Sequence, residues 1–400
     1  MKLDAKPFKD FVTLQRGFDL PAHSRRIGPY PVVASTSISG FHAEYKVEPP
    51  GVVTGRSGAL GEVQYVTTRY WPLNTALWVK DFKGNLPRYV YYYLQTIDLK
   101  RFNSGAGVPT LNRNDLDVLE VRAHSRTHQQ HVASILSAYD DLIDNNTRRI
   151  AILEEMAKSM YEEWFVRFRF PSPDSAAPKA ASEIGALPAG WEVKELNDVV
   201  EEILDCRGKT PAKLSGEWAS EGLIALSALN VKNGRLVNLD KAKFVGEELY
   251  HRWMKTPLRR GDILMTSEAP LGELYLLCAD HPYCLSQRLF AIRADARILS
   301  PVVLYLALAS PQVQSELASR ATGATVSGIR QAELRKVCVV VPPPELQRQC
   351  VRILSPLLDL KDRLDSINTN LRVTRDLLLT KLISGELDVS LFADSKAAAA

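Results

Sequence analysis

Gly105-Ala106-Gly107-Val108-Pro109-Thr110-Leu111-Asn112-Arg113-Asn114-Asp115-Leu116 and Gly323-Ala324-Thr325-Val326-Ser327-Gly328-Ile329-Arg330-Gln331-Ala332-Glu333-Leu334 are two copies of one segment. The same offset carries Gln129 onto Gln347, Ile135-Leu136 onto Ile353-Leu354, Asp141-Leu142 onto Asp359-Leu360 and Leu153 onto Leu371. Upstream, with a small gap, Leu60-Gly61-Glu62 matches Leu271-Gly272-Glu273. Each copy is therefore a domain followed by a helix. Duplication of that kind predicts pseudo-two-fold symmetry and a target with two halves.

The totals agree with a globular chain. Four hundred residues suit two or three domains, and the apolar fraction of 46% is ordinary. A net charge of +4 neither requires nor excludes nucleic acid. The five cysteines form no Cys-x-x-Cys pair, which reads as reduced thiols in a cytoplasmic protein. The polar start Met1-Lys2-Leu3-Asp4 is unlike a signal peptide, and no apolar run is long enough for a membrane.

Residues 1–127 predict a mixed domain. Short β-branched and aromatic runs (Tyr30 to Val33, Gly51 to Thr54, Val63 to Thr67, Ala76 to Val79) alternate with Gly and Pro punctuation, and a helix is expected over Arg88 to Phe102. The period then changes. Val132, Leu136, Tyr139, Ile143, Ile150, Leu153, Ala157, Met160 and Trp164 recur at alternating four- and three-residue steps, a coiled-coil seam interrupted at Asn146. Thr127-His128-Gln129-Gln130 fits a capping box, giving a helix over 128–169. The stretch 170–190, rich in Pro, Ala, Ser and Gly, reads as a linker. A second mixed domain spans 191–341. A second long helix, 342–388, opens at Pro342-Pro343-Pro344 and stops at Gly385, with Cys350, Ile353, Leu357, Leu360, Leu364, Ile367, Leu371, Leu378 and Leu382 as its seam. Residues 389–400 form a tail.

Each helix of roughly 40 residues is roughly 60 Å long. A parallel pairing would stretch the linker close to its extended limit. An antiparallel pairing only asks it to turn a corner, so antiparallel is expected. The fold class is then α+β: two duplicated mixed domains held apart by long antiparallel coiled-coil helices. Such a rod is either a ruler for two half-sites or a plain scaffold.

Particular motifs resemble the DNA-specificity subunit of type I restriction–modification systems. Phe11-Val12-Thr13-Leu14-Gln15-Arg16-Gly17-Phe18-Asp19-Leu20-Pro21 resembles the opening of a target-recognition domain. Gly55-Arg56-Ser57-Gly58-Ala59-Leu60-Gly61-Glu62-Val63, followed by Tyr70-Trp71-Pro72-Leu73-Asn74, resembles that family's glycine-rich loop and next strand. The second copy has Gly261-Asp262-Ile263-Leu264-Met265-Thr266, Ala269-Pro270-Leu271-Gly272 and Ser286-Gln287-Arg288. Pro342-Pro343-Pro344-Glu345-Leu346-Gln347 resembles the lead-in to a conserved helix, and Pro188-Ala189-Gly190-Trp191 that to the second domain. The resemblance covers almost the whole chain. One departure is Ala123-His124-Ser125-Arg126 where prolines are expected, although Gln129 remains.

The resemblance implies a non-catalytic subunit that binds double-stranded DNA and reads a bipartite, asymmetric target with a non-specific spacer. It implies two modification subunits that bind S-adenosylmethionine and methylate adenine, restriction subunits that use ATP and Mg²⁺, and no cofactor on this chain. The helices would set the spacer and dock the modification subunits, in a system for defence against foreign DNA.

An arginine in a glycine-rich loop can fork onto guanine, and a carboxylate can accept from cytosine. Arg56 with Ser57 in the first copy and Ser267 with Glu268 in the second are accordingly expected to read different bases. Further expected DNA contacts are Arg16, Lys46, Arg69, Asn112 and Arg113, then Arg207, Lys209, Asn230, Lys232, Gln287, Arg288 and Arg330. Most would hold phosphates. The plain alternative for each is solvated surface charge.

Three patterns mimic other chemistry. Gly208-Lys209-Thr210 lacks the first glycine of a phosphate-binding loop, since Ile203 stands there. Pro173-Asp174 with Glu192-Val193-Lys194 imitates a Mg²⁺-dependent nuclease, but across a linker. His124, His128 and His131 lack a convincing third metal ligand and read as solvated histidines at a helix start. Neither an adenine-methylation motif nor a glycine-rich cofactor loop is visible.

Overall fold

The computed structural model describes residues 3–105, 107–170, 180–182, 185–323 and 327–388. Much of the expected linker, the expected tail, Asp174 and residues 324–326 lie outside those residues. Within the expected linker, Ala180–Ser182 and Gly185–Leu187 pair as two antiparallel strands. The chain divides into two compact units, Met1–Asn145 with Asn368–Ala400, and Asn146–Ile367.

The two units repeat one topology. In the first, a four-stranded antiparallel sheet has the order Thr13–Arg16, Ala76–Asp81, Gly51–Gly55, Val63–Val66. In the second, Val200–Asp205, Leu289–Ala294, Ile263–Thr266 and Leu274–Leu276 take the same order. A smaller sheet repeats too. Tyr30–Val33 pairs antiparallel with Ile38–His42 and parallel with Trp71–Pro72. Leu223–Leu226 pairs likewise with Lys243–Val245 and Cys284–Leu285. Asp4–Pro7 pairs with Glu120–Ala123, as Glu192–Glu195 does with Cys338–Val341. The second unit adds the hairpin Val231–Lys232 with Arg235–Leu236 and the helix Glu247–Trp253. The helix expected over Arg88 to Phe102 ends at Thr96, and a 3-10 turn, Leu99–Phe102, follows.

The first long helix is Arg126–Tyr161, extended by a π-helical turn, Glu162–Val166. Its start two residues before His128 puts Thr127 inside the helix rather than at its cap. The second is Pro344–Ser384, and Gly385 follows at φ +77° in the left-handed region that stops a helix. The segments pair antiparallel within each unit. In the first unit His124 meets Leu382, Asp140 meets Arg375, and the Ile143 carbonyl accepts from Asn368. In the second, Glu154 meets Lys361, while Ile150, Leu153, Leu357 and Leu364 pack together.

The seam of the second helix differs from the expectation. Ile353, Leu360 and Ile367 are 47%, 37% and 39% exposed. Leu354, Leu358, Lys361 and Asn368 are buried in their place, alongside Cys350, Leu364 and Leu382 of the expected seam. The helix carries two apolar stripes, and periodicity alone does not tell which one faces inward.

One glutamine builds the domain-to-helix joint in both units. Gln129 accepts the Leu86 amide at 2.9 Å and donates to the His124 carbonyl at 2.9 Å. Gln347 accepts the Ser300 amide at 2.9 Å and donates to the Pro342 carbonyl at 2.8 Å. Leu86 and Ser300 are the N-cap residues of Pro87–Thr96 and Pro301–Ala309, so each glutamine satisfies a free donor at a helix start. His124 thus replaces a proline without altering the joint. It is not solvated: it is buried, Nε2 bonds the Leu382 carbonyl at 2.8 Å, and burial holds its pKa below the usual histidine value.

Candidate nucleic-acid interface

In each unit the repeated glycine turn bridges to the loop that ends a central strand of the larger sheet. In the first, Ser57 pairs with Thr110, and the Leu111 amide donates to the Arg56 carbonyl at 2.8 Å. In the second, Glu268 pairs with Gly328, and the Ile329 amide donates to the Ser267 carbonyl at 2.9 Å. Arg56 therefore corresponds to Ser267, and Ser57 to Glu268. Glycine is required here for close approach: a Cβ on Gly55 would lie 1.9 Å from the Ala59 carbonyl oxygen, and one on Gly105 2.0 Å from that of Val108.

The first loop gathers Arg16, Asp19, Arg56 and Asn74. Arg16 pairs with Asp19 at 2.9 Å, and Asn74 also donates to Asp19. The Arg16 hydrogen bond, then that of Asn74, holds the Asp19 carboxyl below its usual pKa. Among the described residues the Arg56 guanidinium bonds the Asn74 carbonyl, at 3.4 Å, through one of its five donors. Asp19 and Asn74 were not among the expected contacts. The Arg16/Asp19 spacing of three residues was the available signal.

The second loop is differently charged. Glu268 is paired through one carboxylate oxygen with Arg288 at 2.9 Å, and both side chains stay partly exposed. Arg288 has φ +62°, a sparsely populated conformation for a residue with a side chain, and its side chain is 54% exposed. Gln287 beside it is exposed.

Other expected contacts divide into engaged and exposed groups. Ser267 and Asn230 are buried, the latter in a capping box with Ser227. Lys209 donates to the Trp253 carbonyl at 2.7 Å. Arg207 forks onto Asp205, lies over the Phe290 ring and reaches the Ile329 carbonyl, bracing the turn from within. Arg207, Lys209 and Asn230 are thus engaged within the fold, and Ser267 is buried. Asn112 caps Arg113–Asp117 by accepting the Asn114 amide, and Arg113 reaches the Leu14 carbonyl at 3.4 Å. Arg69 is exposed but paired with Glu48, and Lys46 lies over the Trp71 ring. Lys232 and Arg330 are exposed. Of the nuclease mimic, Glu192 pairs with Lys194 on one strand, and Asp174 lies outside the described residues. Among the described residues no group of three His, Cys, Asp or Glu side chains is placed to hold a metal. No described helix is long and apolar enough to cross a membrane.

A sequence profile for the type I restriction modification DNA specificity domain matches residues 6–155 and 188–374, one match on each copy of the repeat. The chain belongs to this family. It is a type I specificity subunit, whose role is DNA target recognition within a complex. It is 24% identical over 357 residues to the specificity subunit of the type I restriction enzyme MjaIX of Methanocaldococcus jannaschii, covering 86% of this chain and 79% of that one. It is 23% identical over 341 residues to the HindI specificity subunit of Haemophilus influenzae, covering 70% and 71%. The crystal structure of the type I S subunit from M. genitalium shares the fold of this specificity subunit at a TM-score of 0.67 and 16% identity, covering 95% and 96% of the two chains.

Proposed function

We propose that this specificity subunit reads a bipartite, asymmetric DNA target, one half-site per unit, with a spacer set by the long helices. The observation that carries the reading is one loop scaffold built twice with different side chains. Arg16, Arg56 and Asn74 stand on the first loop, and the Glu268–Arg288 pair on the second. Methylome sequencing of cells carrying the subunit and its partners tests this. Two unlike half-sites at a fixed separation are expected, and an uninterrupted palindrome would contradict it. Binding of the target duplex should also weaken steeply with salt, since several phosphate contacts release counterions. A flat response would favour a scaffold with no DNA role. Inserting one heptad beside Asn146 should change the spacer and leave both half-sites alone.

The chemistry lies with partners in this reading: modification subunits carrying S-adenosylmethionine, and restriction subunits using ATP and Mg²⁺. The second apolar stripe supports docking of two modification subunits. Leu142, Ile152 and Met156 are exposed on one helix, and Ile353, Leu360 and Ile367 recur every seven residues on the other. The double substitution Ile353→Glu with Leu360→Glu should abolish co-purification of the modification subunit. Stability of the free chain should stay within about 0.5 kcal/mol, as for other surface changes. Retained co-purification would place docking elsewhere.

A further inference from the structure

The second unit carries a pocket that the repeat does not account for. The parallel strands Leu223–Leu226 and Cys284–Leu285 end at its floor, so Ser227 and Ser286 follow their carboxyl ends. Carboxyl ends of adjacent parallel strands are where α/β proteins place ligands. The pocket has a volume of about 330 Å³. Trp218, 37% exposed, forms one wall, and Lys243 is held 4.9 Å over its indole ring. Leu229, Lys241 and Gln287 also line it, and the lining contains no acidic side chain.

The polar groups are preorganised. Asn230 accepts from the Ser227 amide at 3.0 Å and hydroxyl at 3.1 Å, and donates to the Val237 and Asn238 carbonyls. Ser286 donates its amide to Leu226. Gln287, whose carbonyl accepts from Ala228, leads directly into Arg288 at the reading loop. The corresponding strand ends in the first unit are closed by packing: Phe18 and Leu20 lie against Val32, Trp71 and Leu73.

An aromatic wall, two cations and a rim of hydroxyls and amide without carboxylates match a nucleotide. The phosphate draws the Lys243 ammonium off the indole, the ring packs there in its place, and the hydroxyls and the Gln287 carboxamide address the base edge. We infer that this pocket receives one base of the bound DNA, giving the second unit a readout element the first lacks. The inference rests on the DNA-reading function proposed above.

The test is photo-crosslinking of the full chain to target duplexes carrying 5-iodouracil or 5-iodocytosine at successive positions of the second half-site, mapped by mass spectrometry. One position should crosslink to Trp218. Trp218→Leu should abolish that crosslink and weaken duplex binding about tenfold, the usual size of a lost base–aromatic contact. Lys241→Ala should weaken binding and leave the crosslink position unchanged. Duplex binding with every crosslink away from Trp218 would overturn the pocket assignment alone. No specific duplex binding would overturn the reading function and the pocket with it.

Discussion

Gln347→Ala is expected to destabilise the second unit by about 3 kcal/mol or more, because each buried polar group left without a partner costs roughly 1–3 kcal/mol. Three groups lose their partner at once: the Ser300 amide and the carbonyls of Pro342 and Ile298. The side chain is 6% exposed, so water does not readily replace it. The melting midpoint should fall by roughly 6–12 °C, read by calorimetry. Gln347→Met keeps the volume and loses the hydrogen bonds, so it should fall nearly as far. A methionine variant melting like the parent would show that Gln347 acts through packing. Gln129→Ala should act in the same way on the first unit, where Leu86, His124 and Asn85 lose a partner.

Asp262→Ala is expected to cost about 3–5 kcal/mol, the usual penalty for stranding one member of a buried ion pair. Arg293 and Asp262 have side chains 7% and 1% exposed and meet through two hydrogen bonds, at 2.8 and 2.7 Å. Asp262 also accepts the Arg259 amide, and Arg293 also reaches the Pro257 carbonyl. Replacing the pair together, Asp262→Leu with Arg293→Met, should recover much of the loss, since an apolar pair leaves no charge buried. By sheet register the first unit has Gly51 and Lys80 at these places, so the effect should be confined to the second. Limited proteolysis with mass spectrometry reports which unit opens. Equal opening of both, or a double variant no better than Asp262→Ala, would refute the assignment.

The duplicated architecture was legible because turn glycines and joint glutamines answer geometric needs that few residues meet. Gly105, Gly323, Gln129 and Gln347 recur for that reason. The orientation of the second helix was not legible. Ile353, Leu360 and Ile367 form as good a seven-residue repeat as the buried residues do, and Lys361 and Asn368 inside the seam weaken the true signal. Lys361 is tolerated there because Glu154 and Asp365 lie 3.7 and 3.9 Å away. Within the candidate interface, Arg56 was correctly placed on its loop. The pairing of Glu268 with Arg288 was not legible, because the two lie twenty residues apart along the chain. Arg207, Lys209 and Asn230 show the same limit: side chains that suit DNA also suit backbone carbonyls and carboxylates of the fold.

The unit that contains the start of the chain is finished by its far end. Leu379, Leu382 and Ile383 belong to the same core as Phe8, Phe11 and Tyr89. The second unit is one uninterrupted stretch, Asn146–Ile367. During synthesis the usual order, amino-terminal domain first, is therefore inverted. The later-made unit has all its residues once Ile367 is made, while the earlier-made one still lacks Leu379, Leu382 and Ile383 of its core. A premature stop between Asn368 and Leu379 would leave the second unit whole and take Leu379, Leu382 and Ile383 from the core of the first, although every residue before Asn146 had been made.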